Sequence, residues 1–523
     1  MVRRTQFIGL AAVSAVVACA VLGTGCGSST THTTTAQLGG RIAGNTLTIA
    51  LPVPPTNLNP ALTQSDPADV IYSSLAYDSL TNINGAQSFG PQLAISWRYS
   101  SHRKIFTLTL RHGVRFSDGT PLTASAAAAS INYWRKTGSN AAYSALITAV
   151  RATARYTIEV QTSSSGSLLP FLFSRAGLAG NLISPAALKA PDRLTSATAG
   201  AGPYMLSPSG TVTGSTYTYV PNPHYWDKSR IHYKKIVVNV IQNPNSALQA
   251  VKTGQADFMI SDPNTVAAAG GLNVYRAPAT IEGAYLVDRG GAVSTPLGDV
   301  RVRQALNYAI NRQAIAAALF GHWAQPTDEI SLPGMDGYDP TYDDHYQYDP
   351  VKAKALLREA GYPNGFHLTI LSSPVFGLDN VSQAIASDLQ KVGVTLTLSE
   401  ATNGAAYISD ATSKHYPVIA MYYGGLPMTL ETATLLEPDA EPFNPFHSTD
   451  ATMLALAQQA GQASSEAAQA QTYQKLQQRV VNVAWFLPVL RSDEIMVANP
   501  KLRGLTIGPG NILPNAADWY PAN

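Results

Sequence analysis

The chain has 523 residues, 45% of them hydrophobic, which is ample for one large core or several, so two or three lobes are expected. Charged residues make up only 13%, about half the usual share, while Tyr (25), Gly (40) and Pro (34) are plentiful, a composition that suits a secreted surface. Arg3 and Arg4 are the only charges before Cys26; without them acidic and basic residues balance at 33 each, which argues against nucleic acid as a partner.

At the N-terminus, Arg3 and Arg4 precede a short apolar run, Phe7 to Leu22, and "LGTGC" ends in small residues before Cys26. The pattern resembles a bacterial lipoprotein signal. It implies removal of residues 1–25, lipidation of Cys26 and anchoring at the extracytoplasmic face of the cell membrane. "VVAC", ending at Cys19, fits the same pattern but leaves a very short apolar run, so Cys26 is favoured. An uncleaved membrane helix is disfavoured, because spanning takes about 20 apolar residues and this run is shorter and broken by Gly. Twin arginines hint at export of a folded protein, but the hydrophobic residues fall one place late, and the route stays open. Both cysteines lie in this segment, which excludes a disulfide scaffold, a Cys-based metal site or a thiol enzyme elsewhere. Residues 26–44 are rich in Ser, Thr and Gly and read as a flexible tether with a reach of roughly 20–25 Å.

The folded part is expected to start near Thr46 with an alternating strand, "TLTIALPV", that runs into a Pro/Asn loop carrying Asn57 and Asn59. In "FTLTLRHGVRFSDGTPLTA", Phe106, Leu108 and Leu110 alternate with threonines as a half-buried strand, Asp118 and Gly119 supply a tight turn, and Thr123 is a candidate helix cap. "VRVRQALNYAINRQAI" places Val302, Ala305, Leu306, Ala309 and Ile310 on one helical face. In "YDPVKAKALLREAGYPNGF", Asp349 caps a helix, Pro350 takes its first position, and Gly361 then Pro363 end it. Strand, helix and strand follow in "FHLTIL", "VSQAIASDLQKVG" and "VTLTL", which predicts a parallel pair. "YQKLQQRVVNVAW" carries a further core stripe of Tyr473, Leu476, Val480 and Ala484.

Six stretches, in order, resemble the peptide/nickel class (family 5) of extracellular solute-binding proteins of ABC importers. They are "LAISWRYSSHRKIFTLTLRHGVRFSDGTPLTA", "GAGPYML" with "NPHYWD", "ALQAVKTGQADF", "DVRVRQALNYAINRQAI", "YDPVKAKALLREAGYPNGF" and "LPVLRSDEIMVANPKLRGL". The resemblance implies an α/β, periplasmic-binding-protein-like fold: two main lobes joined by hinge strands, plus an inserted smaller lobe, the class C (type II) arrangement. Residues 45–80, 200–280 and 488–523 would form the first lobe, 81–199 the inserted lobe and 281–487 the second main lobe. The chain would cross between lobes near Tyr285–Gly291 and Trp485–Leu490. The implied function is capture of a small solute, most simply a peptide or peptide-like compound, in the inter-lobe cleft and its delivery to a permease and ATPase complex. A ligand sensor on the same fold, or a binder of oligosaccharide or another non-peptide solute, is the alternative. The family's usual monomer is expected, with no cofactor.

Peptide binders of this family commonly carry an Asp shortly after a Gly-Trp pair, where it meets the peptide's α-amino group. The corresponding stretch here, "VIAMYYGGLPMTLETATLLEP", offers Tyr422, Tyr423, Gly424 and Gly425 instead; no Asp appears until Asp439, and Glu431 could substitute only if its loop folds back. Candidate ligand-binding residues are therefore Tyr422, Tyr423 and Gly424, with Asn57, Asn59, Asp288 and Arg289. Scattered histidines give no metal site, and no Gly-x-Ser-x-Gly elbow after a strand or His-Glu-x-x-His motif points to an enzyme.

Overall fold

The computed structural model describes residues 46–522 apart from 86–87, 101–102, 138–140, 375–376 and 441–442. The expected signal segment, Cys26 and the tether lie outside the described residues. Among the described residues no helix is long and apolar enough to cross a membrane.

Alternation buries Leu47, Ile49 and Leu51 of the strand Thr46–Leu51 in the first lobe's core. This strand pairs in parallel with Lys235–Val240 on one side and Phe258–Ser261 on the other. The Asp257 carboxylate accepts a hydrogen bond from the Thr48 amide at 2.8 Å, so the Gly-x-x-Asp motif pins the start of that strand. Gly254 precedes it at φ +74°, a conformation that a Cβ would strain.

The inserted lobe is a four-stranded antiparallel sheet, in the order Ala94–Tyr99, Ile105–Leu110, Thr157–Thr162 and Ile147–Ala154. Helix Ala124–Thr137 packs on it, and Phe106, Leu108 and Leu110 enter its core as the alternation requires. Gly119 has φ +83°, Asp118 accepts from the Thr120 amide at 2.9 Å and from the Ser184 hydroxyl, and Thr123 Oγ1 accepts from the Ala126 amide at 3.2 Å. The hairpin is a structural element.

In the second lobe, Phe366–Ser372 and Val394–Glu400 pair in parallel, with helix Asp379–Gln390 between them in sequence. Helix Pro350–Glu359 begins at Asp349, whose side chain accepts from the Lys352 amide at 2.8 Å, and Gly361 follows it at φ +93°. The stripe from Val302 to Ile310 is buried as expected, but the segment does not form one helix. It breaks into Val300–Tyr308 and Arg312–Phe320, because the Asn311 side chain accepts from the Ala314 amide and starts a new helix.

One eleven-stranded sheet of the described residues runs through both main lobes. Two long strands, Asn273–Leu286 and Phe486–Ala498, carry it across.

Candidate functional site

The two crossing strands pair antiparallel from Asn273 opposite Ala498 to Tyr285 opposite Phe486. Ile495 to Ala498 also pair with Phe258–Ser261 of the first lobe, whereas Thr280 to Leu286 pair with Val418–Gly424 of the second. The sheet therefore changes lobe around Ala277–Thr280 and Ser492–Glu494. The register shifts there, leaving Ala279 without a partner beside Pro278, which has no amide hydrogen to donate. The crossings expected at Tyr285–Gly291 and Trp485–Leu490 instead lie in the second lobe's core. Tyr285–Val287 and Trp485–Leu490 are buried, whereas the half-buried polar run Arg491–Glu494 marks the true change of lobe.

A cavity with about 140 Å³ of room for water-sized molecules opens at this crossing. Its walls come from the start of helix Pro67–Ala76 (Ser65, Asp66, Pro67), from Ile83, Phe89, Tyr143 and Phe171 of the inserted lobe, from Pro278 to Thr280 and Glu494 of the crossing strands, and from Leu332, Met335, Tyr422 and Gly424 to Pro427 of the second lobe. A second space of about 540 Å³ adjoins it through Phe89, Phe171 and Pro427; Trp97, Ser167, Asp336, Thr429, Glu466 and Gln469 help to line it. Among the described residues no Lys, Arg or His lines either one.

Strand alternation decides how the tyrosines divide. Tyr422 and Gly424 line the cavity, while Tyr423 turns to the opposite face and is buried in the second lobe's core. Tyr423 is thus a core residue, contrary to its expected place in the site.

The other expected site residues are engaged elsewhere. Asn57 Oδ1 accepts from the Asn59 amide at 2.9 Å, and Asn59, fully buried, accepts from the Ala61 amide and donates to the Tyr133 hydroxyl at 2.9 Å. They shape their loop. Asp288 accepts from the amides of Ala292, Val293 and Ser294 at 2.6–2.8 Å, so its carboxylate organises a turn. Arg289 donates to the Trp485 carbonyl at 2.9 Å and to Asn444, and its guanidinium lies 4.1 Å from the Trp485 ring. Neither lines the inter-lobe cavity. Glu431 is fully buried, accepts from Gln477 at 2.5 Å, and is held well above its ordinary pKa by burial and by Asp336 and Glu329. Its loop does not turn it into the cleft, and Asp439 is exposed beside His447.

Two acids that sequence reasoning missed, Asp66 and Glu494, line the cavity. Asp66 caps helix Pro67–Ala76, accepting from the amides of Ala68 and Asp69 through Oδ1, while also lining the cavity. Burial and the nearby Asp69 charge push it up to about 7. Glu494 projects from the crossing strand; burial and the charge of Asp66 push it up to about 8. Its side chain has no hydrogen-bond or ion-pair partner among the described residues. An acid interrupting "RSDEIMVA" just before an apolar run was the available signal for Glu494, whereas the Asp-Pro pair at Asp66 reads fully as a helix start. Among the described residues no group of three or more His, Cys, Asp or Glu is placed to hold a metal ion.

The family described as "Bacterial extracellular solute-binding proteins, family 5 Middle" matches residues 88–436. The "Nickel-binding periplasmic protein" of Escherichia coli (strain K12) is 30% identical over 389 residues, covering 68% of this chain and 71% of that protein. The "Glutathione-binding protein GsiB" of Escherichia coli O1:K1 / APEC is 28% identical over 372 residues, covering 69% and 71%. The solved periplasmic binding protein DppA from Helicobacter pylori, in complex with the peptide STSA, matches with a TM-score of 0.73 at 20% identity, covering 92% of this chain and 98% of that one.

Proposed function

Because this chain belongs to the family 5 bacterial extracellular solute-binding proteins, the binding components of ABC importers, we propose that it captures a peptide or peptide-like solute in the cavity at the strand crossing and presents it to a membrane permease. The observation that carries this reading is a cavity walled by both main lobes and the inserted lobe where two continuous strands join them. A ligand there touches every body whose relative position changes on closure, so its binding energy favours the closed arrangement. Tyr422 and Gly424 form the second-lobe wall, and Asp66 and Glu494 the polar end.

The relatives it matches are named as binding proteins, and a captured solute is expected to be released chemically unchanged. We further propose that residues 1–25 are removed and that lipidated Cys26 holds a monomeric body at the extracytoplasmic face of the membrane through the tether. Cys26→Ser should then shift the protein from the membrane fraction to the soluble fraction.

The test of capture is thermal unfolding of the full-length protein in mild detergent against short peptides and oligosaccharides. A ligand at 100 times its Kd adds about 2.7 kcal/mol to the folded state, a visible rise in midpoint. Recovery of that ligand intact supports capture; its turnover refutes it.

A further inference from the structure

The cavity is built for one sign of charge. Phe89, Tyr143, Phe171 and Tyr422 give it an aromatic wall, and the charged groups facing it, Asp66 and Glu494, are both acids. The adjoining space adds Asp336 and Glu466, the latter paired with Arg103, and among the described residues no basic residue lines either space.

Asp66 has a structural duty as a helix cap, but Glu494 has none. It sits in a strand whose next residues, Ile495 to Val497, are buried and apolar, and its carboxyl meets no donor among the described residues. Two carboxyls that face one cavity repel each other unless one is protonated or a cation joins them. Aromatic faces favour the same partner, since a cation is drawn to the ring quadrupole. A ligand carboxylate entering the cavity at the crossing would instead face only acids among the described charged groups.

Resting on solute capture in this cavity, we infer that the ligand carries a cationic nitrogen on an apolar body and no carboxylate, with the nitrogen seated between Asp66 and Glu494. A peptide amide with a free amine, or a non-peptide amine, fits this description. Glutathione, with two carboxylates, does not.

The test is calorimetric titration of the full-length protein with four forms of one dipeptide, Leu-Phe: the amide with a free amine, the free dipeptide, the acetylated amide and the acetylated acid, with phenethylamine as a fifth probe. The free-amine amide should bind at least tenfold tighter than the zwitterion and either acetylated form. E494Q and D66N should each weaken it at least tenfold, and by more than they weaken the acetylated amide; Asn at position 66 retains the helix cap, so the second variant keeps its fold. Equal or tighter binding of the zwitterion or the acid, or an unaltered cation affinity in both variants, overturns the cation assignment and leaves solute capture standing. If no form and no amine binds, the cation assignment falls, and solute capture falls with it only if the unfolding panel is also silent.

Discussion

Glu494 is the residue whose environment has the plainest measurable effect. Its folded-state pKa, about 8, lies above the ordinary value of 4.5. Between those values the folded protein therefore binds more protons than the unfolded chain, and stability falls as pH rises. Gln at this position carries no titrating proton. In the ligand-free protein, E494Q should match the parent near pH 4 and exceed it increasingly up to about pH 8, by on the order of 1–4 kcal/mol given about 1.4 kcal/mol per pKa unit. Denaturant melts at pH 4, 6 and 8 would show this; equal stability at all three would mean that the carboxyl titrates normally.

At the scale of elements, the motifs that mark the family shape the frame and leave the ligand to other residues. Tyr225 and Trp226 of "NPHYWD" donate to the buried Asp78 carboxylate at 3.0 and 2.9 Å, Gln92 donates to it at 2.7 Å, and Arg111 stacks over the Trp226 ring. Together they clamp the inserted lobe to the first lobe. Gly202 of "GAGPYML" lies so close to the end of helix Pro67–Ala76 that a Cβ would stand 2.4 Å from the Ala76 carbonyl carbon. Gly202→Ala should accordingly cost about 1–3 kcal/mol in thermal or denaturant unfolding. Local punctuation made such frame elements legible: Asp349 and Pro350 start a helix and Gly361 ends it, all within a few residues. The site was less legible. Tyr422 and Tyr423 are both expected in the site from the sequence, but as neighbours on one strand they face opposite ways, and which face meets the cavity depends on how the strand seats between Asn273–Leu286 and Phe366–Ser372. Asp66 and Glu494 are brought together only by the tertiary fold, and nothing local to either announces the other.

Across the whole molecule, the inserted and second lobes touch on the far side of the cleft from the crossing strands. Leu430 of the second lobe is buried in the inserted lobe's core cluster, Gln469 donates to Ser167 at 3.1 Å, and Arg103 meets Glu466 at 3.3 Å. The ion pair is exposed at Glu466, and such pairs contribute roughly 0–1 kcal/mol. Glu466→Gln should thus weaken ligand affinity no more than about fivefold, with the loss disappearing in high salt. Leu430→Ala should have the larger effect, about 2 kcal/mol or more off the closed arrangement, visible as faster ligand release in stopped-flow displacement.

The register shift at Ala279 also bears on how the molecule moves. Because the two long strands remain bonded to each other on both sides of that point, rotation of the lobes can be taken up as twist within one ribbon, with no rung of the ladder exchanged for water. Lobe movement and ladder integrity are thereby uncoupled at this joint: a solute that favours one arrangement of the lobes acts through twist alone and leaves the backbone bonds of the ribbon in place.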